Sequence, residues 1–226
     1  MDSTIGLTAP RTTTDIVFDT LYHEILTLKL LPRTRISEAE VAKRLDVSRQ
    51  PVRDAFNRLS NLGLLLVRPQ RATEIRGFSM SEIDNARFVR MAVELEVVER
   101  ACAIWDAAQA RTLSEMIAQQ EDAAADKETE RFHALDYAFH RHICDSIGRP
   151  LAFETIERCK RGVDRLCMLS LEKAHEAGAI LRDHRQIAEA LEQRDVAAAR
   201  AALKTHLTRL DETIAEIHAT HGTYFE

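Results

Sequence analysis

Residues 41–56, VAKRLDVSRQPVRDAF, decide how the first third of the chain folds. Apolar residues at helical spacing lead to Leu45, and Asp46 then stands where a tight turn is favoured. Ser48 has the side chain of an N-cap residue and opens the next helix. Pro51 lies in the first turn of that helix, where its missing N–H has no intrahelical partner to lose. The stretch therefore predicts two helices joined by a tight turn.

The segments on either side complete a small domain. Apolar residues at helical spacing predict a first helix over residues 15–30, which ends before Pro32. A capping-box pattern over residues 37–40 starts the second helix. After the third helix, residues 64–67 and 73–75 flank a basic turn, as in a two-stranded hairpin. This order of elements predicts a winged helix-turn-helix, whose third helix enters the major groove of DNA.

The third helix and the hairpin tip contain the side chains suited to contact DNA. Arg49 and Arg53 are four residues apart on one helix face, so both can reach guanine edges, and Gln50 beside them could read adenine. Arginines outside this helix are assigned to phosphates, which fix register without reading sequence. A solvated basic helix face is the alternative. The predicted DNA-binding residues are Arg35, Ser48, Arg49, Gln50, Arg53, Arg68 and Arg71.

Composition limits the class of protein. The chain has 226 residues, of which 45% are hydrophobic and 30% charged, which is typical of a globular protein and excludes a collagen-like or wholly disordered chain. No stretch approaches the roughly 18 consecutive apolar residues of a membrane span, and the first residues do not resemble a signal peptide. The 4 cysteines form no CxxC pair and are interpreted as reduced thiols. We expect a cytoplasmic protein with no membrane partner.

The charge is divided unevenly along the chain. Residues 1–78 contain 12 basic and 9 acidic residues, a net +3, whereas the remainder has a net −8. Beyond the hairpin the pattern predicts about six helices and a frayed end after residue 219. The predicted helices are 81–106, 109–125, 128–146, 150–171, 176–193 and 195–220. The predicted fold is mainly α: a disordered tail over 1–12, a winged helix-turn-helix over 13–78 and an all-helical bundle over 79–226.

Three helices of the second part each place metal-competent side chains on an apolar face. Asp136 and His140 are four residues apart on one helix, and His184 and His206 occupy core positions of two later helices. An unpaired carboxylate in a core costs several kcal/mol, so Asp136 needs a cation or a protonated partner. A divalent ion such as zinc, nickel, manganese or iron would meet that need. The alternatives are hydrogen-bonded core histidines, a buried Asp–His pair, or His133 replacing one ligand.

The first domain closely resembles the DNA-binding domain of GntR-type bacterial transcription regulators. The resemblance extends over residues 14–78 and depends on 41–56, Leu59, Leu62-Gly63-Leu64 and Arg68-Pro69. It implies binding to double-stranded operator DNA. Ala72 stands where the wing usually has glycine, and Ala39 stands where some members place another DNA-contacting arginine. Wing contacts are therefore less well supported than those of the third helix.

Residues 80–218 look like the FCD ligand domain of the FadR subfamily, in which an Asp-x3-His pair and two later histidines hold a metal. Asp136, His140, His184 and His206 match those positions. In that family the ion receives a carboxylate effector, which here implies a hydroxy acid or a sugar acid.

Two arginines are candidates for holding that effector. Arg90 matches a position that often binds it, and a salt bridge to Glu94 is the alternative. Arg165 resembles part of a stretch found in regulators that respond to sugar acids, although Cys167 replaces a second arginine that is usual there.

The resemblance and the charge division together predict a homodimeric, ligand-responsive repressor and not an enzyme. A dimer would match the two halves of a palindromic operator. Two alternatives remain. A metal-sensing regulator would respond to the ion alone, and a helical metallohydrolase would leave the basic winged domain unexplained.

Overall fold

The computed structural model describes residues 11–68, 72–171 and 174–226, and the fold is mainly α-helical. The chain divides into two compact units, Met1–Phe78 with Thr223–Glu226, and Ser79–Gly222. The first unit contains α1 (Thr13–Leu26), β1 (Arg35–Ile36), α2 (Glu38–Leu45), α3 (Arg49–Asn61), β2 (Leu65–Leu66) and β3 (Thr73–Ile75). The second contains α4 (Met80–Ile104), α5 (Ala107–Ala125), α6 (Thr129–Ser146), α7 (Pro150–Leu171), α8 (Ala174–Glu192), α9 (Val196–Thr208) and α10 (Leu210–Thr220). Among the described helices, none combines the length and the apolar character required to cross a bilayer.

The first helix differs at both ends from the predicted span of 15–30. It begins at Thr13, because Thr12, which was predicted to belong to the disordered tail, forms a capping box with Asp15. It ends at Leu26, because Leu28 adopts a left-handed φ of 59° and reverses the chain. The predicted tail residues 1–10 lie outside the described residues.

The helix-turn-helix follows the sequence prediction closely. Ser37 and Glu40 form the predicted capping box of α2, and Asp46 makes the turn with a left-handed φ of 53°. Ser48 is the N-cap residue of α3, but its side chain makes no capping hydrogen bond. The apolar faces of these helices form one core with the sheet, which includes Val17, Leu21, Ile25, Val52, Phe56, Leu59 and Ile75.

The predicted hairpin is present as the antiparallel pair of β2 and β3, but the wing sheet has a third strand that the prediction missed, in the order β1-β3-β2. The additional strand contains only Arg35 and Ile36, which is too short to show an alternating pattern in the sequence. Ile36 is nevertheless buried and pairs with Thr73 of the central strand. Residues 69–71 of the predicted tip lie outside the described residues, and with them the expected DNA contact of Arg71.

The second unit is a helical bundle around one hydrophobic core.

The prediction of a single last helix over 195–220 was wrong, because α9 ends at Thr208 and α10 begins at Leu210. The hydroxyl of Thr208 donates hydrogen bonds to the backbone carbonyls of Lys204 and Thr205. Such local bonding competes with the helical ladder, and here it coincides with the one-residue interruption at Arg209, where no glycine or proline is present.

The last four residues pack on the first unit, whereas the sequence analysis expected a frayed end within the second. Phe225 is 8% exposed and forms an isolated parallel bridge with Phe78, whose ring lies 5.3 Å away between centroids. The Glu226 N–H donates to the carbonyl of Phe78, and its carboxylate pairs with Arg76 at 3.3 Å. Burial of one aromatic ring and this strand-like pairing therefore order a terminus whose sequence lacks helical periodicity.

Gly77 allows this close approach of the chain end. A Cβ atom at this position would lie 2.8 Å from the backbone oxygen of Tyr224 and 3.2 Å from Cδ of Arg33. We expect Gly77→Ala to weaken the packing of the terminus by about 1–3 kcal/mol, the usual cost of an overpacked contact. Faster carboxypeptidase digestion of the full chain would measure this loss. Gly222→Ala is the matched control, because a Cβ there meets nothing within 4 Å; equal digestion of both variants would contradict the prediction.

Candidate functional site

The exposed face of α3 contains the three predicted base-reading residues. Arg49, Gln50 and Arg53 are all exposed. Gln50 Nε2 donates to the Asp54 carboxylate at 2.9 Å, and Arg53 Nη2 lies 3.1 Å from Glu38 Oε2. Without DNA, Arg53 is therefore paired with an acidic side chain at the start of α2, and a base edge would have to replace that partner.

Two of the predicted phosphate-binding residues lie together on the wing. Arg35 on β1 and Arg68 after β2 are exposed and line one shallow depression with Leu66, Ala72 and Glu74. This arrangement is suited to contact with a DNA backbone.

The structure brings all four predicted metal ligands together in the second unit. Asp136 and His140 come from α6, His184 from α8 and His206 from α9. Each offers one ligand atom, and these atoms lie within 4.8 Å of one another. All four side chains are at most 10% exposed. This set, here called the Asp–His cluster, does not include His133, the residue considered as a replacement.

Polar partners outside the cluster orient two of its imidazoles. His184 Nδ1 lies 2.7 Å from Gln120 Oε1, and the Gln120 amide nitrogen donates to the carbonyl of Leu135. The Gln120 oxygen must therefore accept from His184 Nδ1–H, which leaves the lone pair on Nε2. His140 Nδ1 lies 2.7 Å from Glu94 Oε2, which likewise places the proton on Nδ1. Both Nε2 atoms are thus available as ligand atoms.

Inside the cluster, a carboxylate oxygen of Asp136 lies close to imidazole nitrogens. Asp136 Oδ1 lies 3.4 Å from Nε2 of His184 and 3.8 Å from Nε2 of His140. Burial lowers the pKa of His184 and lowers that of His206 to about 3, which favours neutral rings. With its proton on Nδ1, His184 presents the lone pair of Nε2 to Asp136 Oδ1 with no proton between them, and Nε2 of His140 lies 3.2 Å from that of His206. That arrangement is chemically suited to a bound cation.

Basic side chains adjoin the cluster on two sides. Arg90 donates through Nε to Glu94 at 2.5 Å, and its Nη2 lies 3.3 Å from His140 Nε2. The salt bridge considered in the sequence analysis is therefore present, and the same guanidinium also reaches a cluster ligand. Lys160 is 6% exposed and contacts Asp136 Oδ2. Burial alone would raise the pKa of Asp136, but the Lys160 ammonium holds it well below its usual range.

Arg165, the other candidate for effector binding, is 3% exposed on α7. Burial lowers the pKa of its guanidinium to about 10.

His206 also contacts an ion pair that lies outside the cluster. Asp183 Oδ2 lies 3.8 Å from Nδ1 of His206, and Arg209 donates to the same carboxylate at 2.7 Å.

Sequence reasoning missed Gln120 and Lys160. Both are polar residues at apolar helical positions, a pattern that could have identified them. Gln120 continues the buried series of Leu113 and Ile117 on α5, and Lys160 continues that of Phe153 and Ile156 on α7. Each marks a place where a core polar group needs a partner.

A winged helix-turn-helix with a basic recognition helix, followed by a helical unit with a buried polar cluster, defines a DNA-binding transcription regulator. The chain belongs to the GntR family of bacterial regulatory proteins. The model of the gntR family of bacterial regulatory proteins matches residues 13–75, and that of the FCD domain matches residues 86–209. Members of this family regulate transcription and are not enzymes.

Curated relatives agree with this assignment, and solved structures share the fold. The HTH-type transcriptional repressor RspR of Escherichia coli (strain K12) is 34% identical over 92% of this chain and 92% of its own. A probable D-xylose utilization operon transcriptional repressor of Paenarthrobacter nicotinovorans is 27% identical over 92% of this chain and 91% of its own. The fold is similar to that of E. coli McbR/YncC, with a TM-score of 0.71 and 21% identity over 94% of this chain and 100% of that chain. A putative GntR regulator from Rhodococcus sp. RHA1 has the same TM-score with 24% identity, over 90% of this chain and 97% of that chain.

Proposed function

We propose that this protein is a homodimeric repressor of the FadR subfamily that acts in the bacterial cytoplasm. It binds a palindromic operator and is released by a small carboxylate, a hydroxy acid or a sugar acid, bound together with a divalent metal ion. Residues 13–78 contact the operator, and the helical unit from residue 79 binds the ion and the effector. The buried Asp–His cluster is the observation on which this proposal depends.

The residues of the cluster fit a divalent metal. His184 Nε2 is buried without a hydrogen-bond partner, and three imidazoles and one carboxylate suit zinc, nickel, manganese or iron. Asp136, His140, His184 and His206 would hold the ion. When bound, the ion supplies positive charge and coordination positions for a carboxylate.

Arg90 is suited to bind the effector carboxylate. Its guanidinium already reaches His140, and its planar fork can form two parallel hydrogen bonds to a carboxylate. The partly buried position of Arg90, at 17% exposure, strengthens such charge-assisted bonds relative to those in water. Arg165 is the second candidate, since it too is a buried guanidinium of the same unit.

The names of the relatives support the direction of regulation. RspR is named a repressor, and the Paenarthrobacter relative is named a repressor of D-xylose utilization. By analogy, we infer repression for this chain. Release by an effector requires that the ligand bind more tightly to the DNA-free conformation, so effector and operator must weaken each other reciprocally.

Operator binding can be measured with a duplex selected from random DNA by the full chain. Fluorescence anisotropy would compare the metal-loaded protein with and without a panel of hydroxy acids and sugar acids, and again after chelation. We expect at least one acid to lower operator affinity, and only when metal is present. A response to metal removal alone would instead identify a metal sensor. Unchanged affinity for every acid tested would contradict effector control.

The hydrogen bond from His184 to Gln120 gives a separate test of the metal site. We expect Gln120→Leu to lower metal affinity by about 10–100-fold, because a loss of this size follows when a ligand histidine loses its orienting partner. Isothermal titration with zinc measures the change. Gln119→Leu is the matched control, since Gln119 is the exposed neighbour on the same helix. Equal zinc affinity in both variants would show that Gln120 does not orient a ligand.

A further inference from the structure

The carboxylate of the Asp–His cluster and the two described carboxylates next to it each contact a basic side chain. The three pairs are Asp136 with Lys160, Glu94 with Arg90, and Asp183 with Arg209. Asp136 is a member of the cluster, whereas Glu94 lies beside the ring of His140 and Asp183 beside the ring of His206. Because a histidine that binds a metal does so as the neutral imidazole, these pairs leave the described side chains of the cluster and its contacts without net charge.

Lys160 is central to this balance because it is the most buried of the three cations. Its side chain is 6% exposed, against 17% for Arg90 and 41% for Arg209. Its ammonium lies 4.3 Å from the centre of the Tyr137 ring, a favourable position for a cation. It contacts Oδ2 of Asp136, whereas Oδ1 faces the imidazoles. Asp136 can therefore serve as a ligand through Oδ1 while Lys160 still neutralises its charge.

A divalent ion would then add two positive charges that the described side chains around the cluster do not offset. Among the side chains whose contacts with the cluster are described, every acidic group is already matched. Uncompensated charge in a buried site is strongly unfavourable. A ligand with two negative charges restores neutrality, whereas a monocarboxylate leaves one charge unmatched.

We propose that the effector is a dicarboxylate and that Lys160 is the residue that sets this preference. The inference rests on the proposed metal site and effector and goes further, because it specifies the charge of the ligand. Lys160 acts by cancelling the charge of Asp136, so that the bound ion must obtain its counter-charge from the ligand.

Matched pairs of acids test this proposal in the zinc-loaded full chain. Malate is compared with lactate, tartrate with glycerate, and glucarate with gluconate, by calorimetry and by the midpoint of thermal unfolding. We expect at least one diacid to bind, and to bind about tenfold or more tightly than its monoacid partner. A monoacid that binds as tightly as its diacid overturns the proposal, and so does failure of all three diacids to bind.

Two variants at Lys160 identify the source of the preference. Lys160→Met leaves the charge of Asp136 available to the ion, so we expect zinc affinity to rise about tenfold and the diacid preference to fall by a similar factor. Lys160→Arg keeps the charge and should keep the preference. An unchanged diacid preference in Lys160→Met overturns the proposal, whatever happens to zinc affinity. If the unmodified chain does not bind zinc at all, the proposed metal site fails instead, so the two failures are distinguishable.

Discussion

Replacement of His206 by alanine is expected to lower metal affinity by at least about a hundredfold. His206 is a proposed ligand, and the loss of a residue that only orients a ligand already lowers metal affinity by about 10–100-fold. The effector response should be lost with the metal, while operator affinity stays close to that of the unmodified chain. The ring of His206 lies 5.2 Å from that of His140 and 4.7 Å from that of His184, between centroids. Its removal therefore opens one side of the cluster directly.

His206 is a better choice for this test than His184. The His184 ring is fully buried and stacks on Phe139 with 4.0 Å between centroids, so its loss would leave a cavity and an unpaired Gln120 oxygen. By contrast, Asp183 beside His206 keeps its bond to Arg209. Metal content after gentle purification, zinc calorimetry and operator anisotropy would be measured together.

The matched control is His218→Ala, because His218 is an exposed histidine on α10. It should keep both zinc affinity and effector response. Full zinc affinity in His206→Ala would remove this residue from the proposed ligand set. Loss of operator affinity in that variant, with normal folding, would contradict the assignment of the two functions to separate units.

The helix-turn-helix could be predicted from sequence because local rules determine it. The capping box of Ser37 and Glu40 and the turn at Asp46 depend on residues within a few positions of one another. The strand β1 could not be predicted in this way, because Arg35 and Ile36 form a strand only through pairing with the distant Thr73 and Glu74. Local pattern therefore identified the helices, and long-range pairing completed the sheet.

The same distinction applies to the candidate site. The spacing of Asp136 and His140 on one apolar helix face indicated a polar group that needed a partner, but it left that partner undetermined. The structure shows that Lys160 is a partner of Asp136, 24 positions along the chain on another helix. The order of the last residues depends likewise on the packing of Phe225 against Phe78, far away in sequence. Helical periodicity could mark Lys160 as a buried polar residue, but it could not show which side chain Lys160 contacts, and residues 223–226 have no such periodicity.

The charge distribution explains how one acidic protein can bind DNA. The chain has a net charge of −5, yet its first 78 residues are basic, and exposed arginines occur on both α3 and the wing. The acidic second unit is repelled by phosphates, which favours approach of the duplex to the basic unit alone. Operator affinity should therefore depend on a few arginines, of which Arg53 is central.

Arg53→Ala is expected to lower operator affinity roughly ten- to a hundredfold and to relax the preference at one base pair, as for loss of a bidentate guanine contact. Arg53 is exposed on α3, and its guanidinium contacts Glu38 at the start of α2 in the absence of DNA. Its removal should leave the fold intact, because its only described partner is this exposed carboxylate. Anisotropy with the selected operator and with single base-pair variants measures both effects.

Arg58→Ala is the matched control, because Arg58 is on the same helix but stacks on the ring of Phe18 in α1, 4.0 Å from its centre. It should keep the base preference of the unmodified chain. A uniform loss of affinity in Arg53→Ala, equal for every base-pair variant, would assign Arg53 to a phosphate instead of a base. Arg49 lies on the same face, and the double variant Arg49→Ala/Arg53→Ala tests its role. If base preference relaxes further than in Arg53→Ala, Arg49 contacts a base edge. If only the salt dependence of binding decreases, Arg49 contacts the DNA backbone.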